Sequence, residues 1–160
     1  MILGLDPGCR KCWYAIIDRS MKIIDAGIFV QDHDDRSRYA DFLRMQQMAD
    51  QIITLLKQYQ ITSIGIEQCF FTSHNQSNAE YVFGLRAIVI GHVIQNTITL
   101  KEYTPTQLKK SLTWNGRASK NLVQSAIMRL YKIQSFPQFD DAADALALAY
   151  LVLTSKTSIA

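Results

Sequence analysis

The sequence has few cysteines and no long apolar run. Three cysteines occur among 160 residues, Cys9, Cys12 and Cys69, and this small odd number argues against a disulfide framework. No apolar run approaches the ~20 residues that a membrane-spanning helix needs. The chain reaches a carboxylate at Asp6, which excludes an ordinary signal peptide. We therefore expect a cytoplasmic protein, in a bacterial cell or a phage-infected host, with no membrane partner.

The chain also has no strong excess of positive or negative charge. The net charge is +3 and the pI is about 8.8, which permits nucleic-acid binding without demonstrating it. Hydrophobic residues make up 48% and charged residues 19%, a composition typical of a globular chain and not of a disordered one. No internal repeat, low-complexity tract or interdomain linker is visible. We expect one domain over residues 1–160.

The hydrophobic pattern predicts an α/β fold. Three short apolar segments have the pattern of antiparallel strands, at 2–6, 12–19 and 22–30. Helical spacing over 39–59 precedes another short strand over 61–67. A strand, a helix and a return strand make a crossover unit, so we expect the strand ending at Glu67 to lie parallel to the strand ending at Asp6.

The second half of the chain alternates loops, helices and one more strand. We predict a polar loop over 70–78, a strand over 98–103, and helices over 79–96, from Pro105 to Leu112, over 118–132 and over 141–154. The result is a mixed five-stranded sheet, three antiparallel strands followed by parallel ones, flanked by helices. This order resembles the ribonuclease H-like fold.

Four carboxylates stand in apolar surroundings. Asp6 and Glu67 each end an apolar strand, and Asp141 and Asp144 lie three residues apart in a helix rich in alanine and leucine, so they share one helix face. Ionised carboxylates in such settings are costly unless they are paired or bind a metal. Hard oxygen ligands suit Mg²⁺ or Mn²⁺. Two such ions, ~4 Å apart, clamp the attacking and leaving oxygens of a phosphodiester.

Each acid also has a simpler explanation. Asp6 followed by proline and glycine is compatible with a turn, Asp140 or Asp141 with a helix cap, and Glu67 with a salt bridge. Because four separate coincidences are needed to explain all of them this way, we favour the metal site.

Four segments then carry a family resemblance. LGLDPG (3–8), IGIEQCF (64–70) and DDAADALALA (140–149) resemble the three acidic motifs of the RuvC family of Holliday-junction resolvases. TPTQLKKSLTWNGRASKNLV (104–123) resembles its basic segment. The resemblance implies that the metal-binding, catalytic set is Asp6, Glu67, Asp141 and Asp144, with Asp141 preferred over Asp140. It implies two Mg²⁺ ions per site, with Mn²⁺ as a substitute.

The resemblance also implies an activity. We expect a homodimeric crossover junction endodeoxyribonuclease that resolves Holliday junctions by paired symmetric nicks, leaves 5′-phosphate ends, and serves DNA recombination and repair. The alternatives are a nuclease for three-way, fork or Y junctions with relaxed sequence preference, and a ribonuclease H-like enzyme acting on RNA–DNA hybrids. A junction-binding module without chemistry fits less well, because the acidic set is complete. Whether a branch-migration motor is a partner stays open.

Positive charge is concentrated between residues 101 and 132. This stretch holds seven lysines and arginines against one acid, Glu102, and such a band attracts phosphates. Its alternative meaning is a solvated helix face. We expect DNA contacts from Lys109, Lys110, Arg117 and Lys120. Lys109 and Lys120 match basic positions of the family, and we expect Lys120 to contact the scissile phosphate and to stabilise developing charge.

Phe70 follows Glu67 closely and resembles the family's junction-inserting aromatic, on which a base can stack. The alternative is that Phe70 and Phe71 pack at the end of the sheet. In the helix over 79–96, Gly84, Ala87 and Gly91 form a small-residue face that permits close approach of another backbone. We expect this face at the twofold interface, with packing on the sheet as its alternative.

Some features fit other chemistries less well. The Cys9–Cys12 pair has the spacing of half a zinc site, but no second such pair follows. The histidines at 33, 74 and 92 are scattered. The WNGR turn at 114–117 and the GLRA run at 84–87 depart from the family's pattern, which favours a relaxed cleavage preference.

Overall fold

One mixed sheet organises the fold. The computed structural model describes residues 1–31, 37–70, 76–134 and 142–155, and of residues 76–78 it describes the backbone alone. Its strands are Ile2–Pro7 (β1), Lys11–Ile17 (β2), Ile23–Val30 (β3), Ser63–Glu67 (β4) and Thr99–Tyr103 (β5). Its helices are Arg38–Gln58 (α1), Gln76–Gln95 (α2), Pro105–Thr113 (α3), Lys120–Tyr131 (α4) and Ala142–Thr154 (α5).

The strand order confirms the predicted topology. The sheet runs β3-β2-β1-β4-β5, with β1, β2 and β3 antiparallel and β1, β4 and β5 parallel. In the β1–β4 register Leu5 lies opposite Ile66. The next residues along the two strands are Asp6 and Glu67, so both carboxylates leave the sheet at the same edge.

Alternating side chains of β1 and its neighbours build two cores. Leu3 and Leu5 are fully buried on the face covered by α1 and α2. Ile2 belongs to the opposite core, with α3, α4 and α5. This division follows from the two-residue period of a strand. The sheet is therefore buried on both faces, and its parallel strands read as continuous apolar runs.

Helix α5 lies unusually close to the sheet. A Cβ added at Gly4 would stand 1.9 Å from the carbonyl oxygen of Ala145, and one at Gly65 would stand 2.8 Å from that of Leu148. Gly4 and Gly65 are register partners on β1 and β4. The two glycines thus let the backbone of α5 rest directly on the two strands that carry the acids, and this contact brings the first turn of α5 to the same sheet edge.

Local capping explains most helix boundaries. Thr104 and Gln107 form a reciprocal capping box with Pro105 in the first turn of α3, and Ser119 caps α4. Helix α2 begins at Gln76, three residues before the predicted start at 79. No helix in the described parts of the chain is long and apolar enough to cross a membrane.

Candidate functional site

A cavity opens where β1 and β4 end. Its volume is about 310 Å³. The sheet edge, α2 and the start of α3 line it through Asp6, Pro7, Glu67, Gln68, Cys69, Phe70, Ala79, Val82, Phe83 and Pro105. Two of the predicted acids therefore share one cavity with the predicted stacking aromatic. Phe70 is 53% exposed, so its ring does not serve only to fill the end of the sheet.

The pKa of Glu67 reflects the electrostatics of this cavity. This pKa is raised to about 7, first by burial and then by the nearby carboxylates of Asp6 and Asp144, while Lys109 and Arg86 act in the opposite direction. A like charge disfavours the ionised form of a carboxyl group only when it lies close. Asp6 at the end of β1 and Asp144 in the first turn of α5 therefore both lie within electrostatic reach of Glu67.

The donor chemistry of this site fits a divalent cation. A hard cation binds carboxylate oxygens. It would also relieve the repulsion of Glu67 by Asp6 and Asp144. Within the described residues, no three acidic, cysteine or histidine side chains are close enough to enclose a metal. Asp141, the fourth predicted ligand, lies outside the described residues, as does Asp140.

Arg86 is a site residue that the sequence patterns did not reveal. Its side chain on α2 is 6% exposed. It donates to the backbone carbonyl of Glu67 and forms a salt bridge with Glu102 on β5. Arg86 therefore joins the ends of β4 and β5 beneath the cavity. An arginine inside an otherwise apolar helix was the available signal.

The basic band divides into residues with different roles. Lys109 on α3 is partly buried and acts electrostatically on Glu67. Lys110, Arg117 and Lys120 are exposed, and Lys120 is the first residue of α4. Lys101 points elsewhere, because its Nζ donates to the carbonyl and hydroxyl oxygens of Ser155 at 3.1 and 2.8 Å.

The small residues that were predicted to form one face of α2 differ in their surroundings. A Cβ added at Gly84 would stand 2.3 Å from the sulfur of Met45 on α1, so this glycine serves packing within the chain. Ala87 is exposed, and among the described residues a Cβ added at Gly91 would meet no atom within 4 Å. The expected interface face must therefore exclude Gly84.

The cysteines and histidines form no second centre in the described part of the chain. Cys9, Cys12 and Cys69 are free thiols. Burial, followed by the charge of Asp6, raises the pKa of Cys12 far above its usual range, which disfavours the thiolate that a zinc site needs. His92 lies near the end of α2 beside Asn96, whereas His33 and His74 fall outside the described residues.

A sheet of this order, with acids at the ends of its adjacent parallel strands and on the helix crossing them, defines a ribonuclease H-like fold. The chain belongs to the crossover junction endodeoxyribonuclease RuvC family, whose model matches residues 2–151. It is 33% identical over 162 residues to the crossover junction endodeoxyribonuclease RuvC of Caldicellulosiruptor saccharolyticus, covering 99% of this chain and 95% of that protein.

Solved structures show the same fold at lower identity. The Thermus thermophilus RuvC structure matches with a TM-score of 0.78 at 19% identity, covering 92% of this chain and 90% of that one. T. thermophilus RuvC in complex with a Holliday junction substrate matches with a TM-score of 0.76 at 17% identity, covering 92% and 88%.

Proposed function

We propose that this protein is a divalent-metal-dependent endodeoxyribonuclease that resolves Holliday junctions by paired symmetric nicks in DNA recombination and repair. The observation that carries the proposal is that Asp6 and Glu67 share one cavity, with Asp144 within electrostatic reach of Glu67, in a chain of the RuvC family. Residues 1–160 would form one nuclease domain.

The acids supply the metal ligands. Asp6, Glu67, Asp141 and Asp144 would hold two Mg²⁺ ions, with Mn²⁺ as a substitute, and these would supply activation of water and stabilisation of the leaving oxygen of a phosphodiester. The strands aim Asp6 and Glu67 at one point, because parallel neighbours end at the same edge. Burial of Glu67 withholds solvent from that carboxylate, which strengthens its electrostatic interactions.

Cations and an aromatic side chain bind the substrate. Lys109 acts electrostatically on Glu67, which supports a role for its ammonium group in binding the substrate phosphate. Lys120 at the start of α4 would contact the scissile phosphate and stabilise its developing charge. Lys110 and Arg117 would bind flanking phosphates. Phe70, exposed at the cavity, would stack on a base at the branch point.

A homodimer would place two such sites for paired nicks. The exposed apolar side of α2 supports this, with Phe83 37% and Ile94 68% exposed and with Ala87 and Gly91 between them. No atom of the described residues would contact a Cβ at Gly91, which supports close approach of a second backbone there. A twofold axis along this face would present the same patch from both chains.

The test uses the Asp6→Asn variant on matched DNAs. We expect the wild type to cut a four-way junction only with Mg²⁺ or Mn²⁺, to leave 5′-phosphate ends, and to prefer it over three-way, Y-shaped, linear and RNA–DNA hybrid substrates. The variant should bind the four-way junction normally and fail to cut it. Mg²⁺-dependent nicking by the variant, or equal competition by a linear duplex or an RNA–DNA hybrid, would contradict the proposal.

A further inference from the structure

The turn between α3 and α4 carries Trp114. With 91% of its surface exposed, this is the most exposed large apolar side chain of the described residues. The chain has two tryptophans, and the other, Trp13, is 7% exposed in the core. An indole ring left in water does not gain the free energy of burying its apolar surface, which is among the largest of any side chain. Exposure of this ring is thus unfavourable in the free protein.

The backbone of this turn holds Trp114 in a fixed conformation. Its φ of 60° and ψ of 6° are left-handed, a region that bulky side chains seldom adopt. Its N–H donates to the carbonyl of Lys110 at 2.9 Å. On either side, Thr113 Oγ1 donates to the carbonyl of Lys109 at 2.8 Å, and the Arg117 N–H donates to Asn115 Oδ1 at 2.9 Å. The ring is therefore presented by a braced turn.

The segment that carries the ring has charge of one sign. Lys110, Arg117 and Lys120 are exposed, and the sequence contains no acidic residue between Glu102 and Asp140. An exposed aromatic ring among cations is the combination that binds unpaired nucleotides, because the bases stack while the cations follow the phosphates. A protein partner that needed only an apolar contact would have no use for these cations.

The position of Trp114 at the end of α3 is compatible with contact to DNA close to the cleaved phosphate. Lys109 lies within electrostatic reach of Glu67, and Trp114 follows it by five residues. At about 1.5 Å per residue, the turn stands roughly 7–8 Å further along the axis of α3. Consecutive base pairs are ~3.4 Å apart along each strand, so Trp114 lies about two nucleotide lengths beyond Lys109.

We propose that Trp114 is a stacking platform for an unpaired base of the branched DNA close to the scissile phosphate, and that it helps to select which phosphate enters the site. This inference rests on the proposed nuclease function. With Phe70, Trp114 would give the DNA two aromatic contacts on different elements of the protein. Trp114 follows the basic side chains of α3 along the chain.

Fluorescence offers a direct test, because only Trp114 is exposed to substrate. In an Asp6→Asn background, emission would be recorded during titration with a four-way junction without metal. Subtracting the signal of Asp6→Asn with Trp114→Phe removes the contribution of Trp13. We expect the Trp114 emission to be quenched by more than half when the junction saturates the protein. Unchanged emission at saturation would overturn the inference.

Binding and cutting give the second readout. Trp114→Leu retains apolar bulk without a flat ring, and we expect it to weaken junction affinity roughly fivefold to a hundredfold, whereas Trp114→Phe stays within about threefold of wild type. Cut positions should spread with Trp114→Leu, and its unfolding temperature should be unaltered. Unchanged affinity and cut positions in Trp114→Leu, or altered self-association alone, would overturn the inference. A wild type that fails to cut any branched DNA while Trp114 is quenched would count against the proposed nuclease instead.

Discussion

The buried side chain of Arg86 donates a hydrogen bond to the backbone carbonyl of Glu67. The same guanidinium pairs with Glu102 on the neighbouring strand, and Gln68 N–H donates to the carbonyl of Tyr103 at 2.8 Å. These contacts join β4 and β5 at the end where the cavity lies. They hold the backbone of Glu67, a candidate metal ligand, in position. Arg86 does this without lining the cavity itself.

We predict that Arg86→Met raises the Mg²⁺ concentration for half-maximal cleavage about tenfold. The variant leaves the Glu67 carbonyl without its arginine donor and removes a positive charge that favours the ionised carboxylate. The free energy of unfolding should fall by about 1–3 kcal/mol, since the Glu67 carbonyl loses a charged hydrogen-bond donor. Cleavage rates measured across a Mg²⁺ titration would report the first effect, and urea unfolding the second.

The matched control is Arg44→Met. Arg44 is 7% exposed and pairs with Asp41 three residues earlier on α1, so it equals Arg86 in burial and pairing. We expect a loss of stability without a change in the Mg²⁺ requirement. Arg86→Lys should restore part of the metal affinity by keeping the charge. If both methionine variants shift the Mg²⁺ requirement equally, Arg86 has no specific positioning role.

Glu67→Gln should stabilise the metal-free protein at pH 8 and leave it nearly unchanged at pH 4. The folded pKa of Glu67 is about 7, above the ordinary glutamate value of 4.5. Stability that is complete below pH 4.5 is therefore lost as the pH rises through 7, because the folded state then holds an ionised carboxylate near other carboxylates. Glutamine removes this loss, which we place at about 1–3 kcal/mol.

Urea unfolding in a chelator at the two pH values measures the difference. Saturating Mg²⁺ should reduce the advantage of glutamine at pH 8, since the ion stabilises the carboxylate form. An equal stability difference at both pH values would show that the titration of Glu67 does not contribute.

Gly4→Ala should lower the free energy of unfolding by about 3 kcal/mol or more. Its Cβ would overlap the carbonyl oxygen of Ala145, and a helix backbone has no rotamer by which to move aside. Because α5 also carries Asp144, cleavage should fall more steeply than stability. Thermal unfolding and the cleavage rate at saturating Mg²⁺ test the two statements.

The control is the same substitution at Gly116. There an added Cβ would stand 2.7 Å from the side-chain methyl of Thr106, which rotation can relieve. We expect Gly116→Ala to lose less than about 1 kcal/mol. A loss equal to that of Gly4→Ala would mean that contact with the α5 backbone is not the cause.

Ile94→Glu should yield a monomer if α2 forms the twofold interface. Ile94 is 68% exposed, so the change costs little within one chain but places a charge in the apolar interface. Sedimentation should give twice the chain mass of 18.2 kDa for the wild type and that mass alone for the variant. Ile24→Glu, at a 36% exposed site on β3, is the control and should remain dimeric. A dimeric Ile94→Glu would place the interface elsewhere.

The sequence by itself determined the order of elements and the location of the acids. Strand segments ending in Asp6 and Glu67 follow from short apolar runs and the crossover rule, which act locally and with a fixed handedness. The start of α2 was missed because Gln76, Ser77 and Asn78 have the composition of a loop. Their helical state depends on the packing of the apolar residues that follow.

Tertiary structure alone decided how chemically similar residues divide their roles. Gly84 and Gly91 have the same helical setting, yet Gly84 packs on Met45, whereas a Cβ added at Gly91 meets no atom of the described part of the chain within 4 Å. Lys101 and Lys109 belong to one basic band, yet one binds Ser155 and the other acts on Glu67. Sequence patterns reflect the period of an element, whereas these partners come from distant parts of the chain and meet only when the elements pack. The contact of Arg86 with Glu67 is of the second kind.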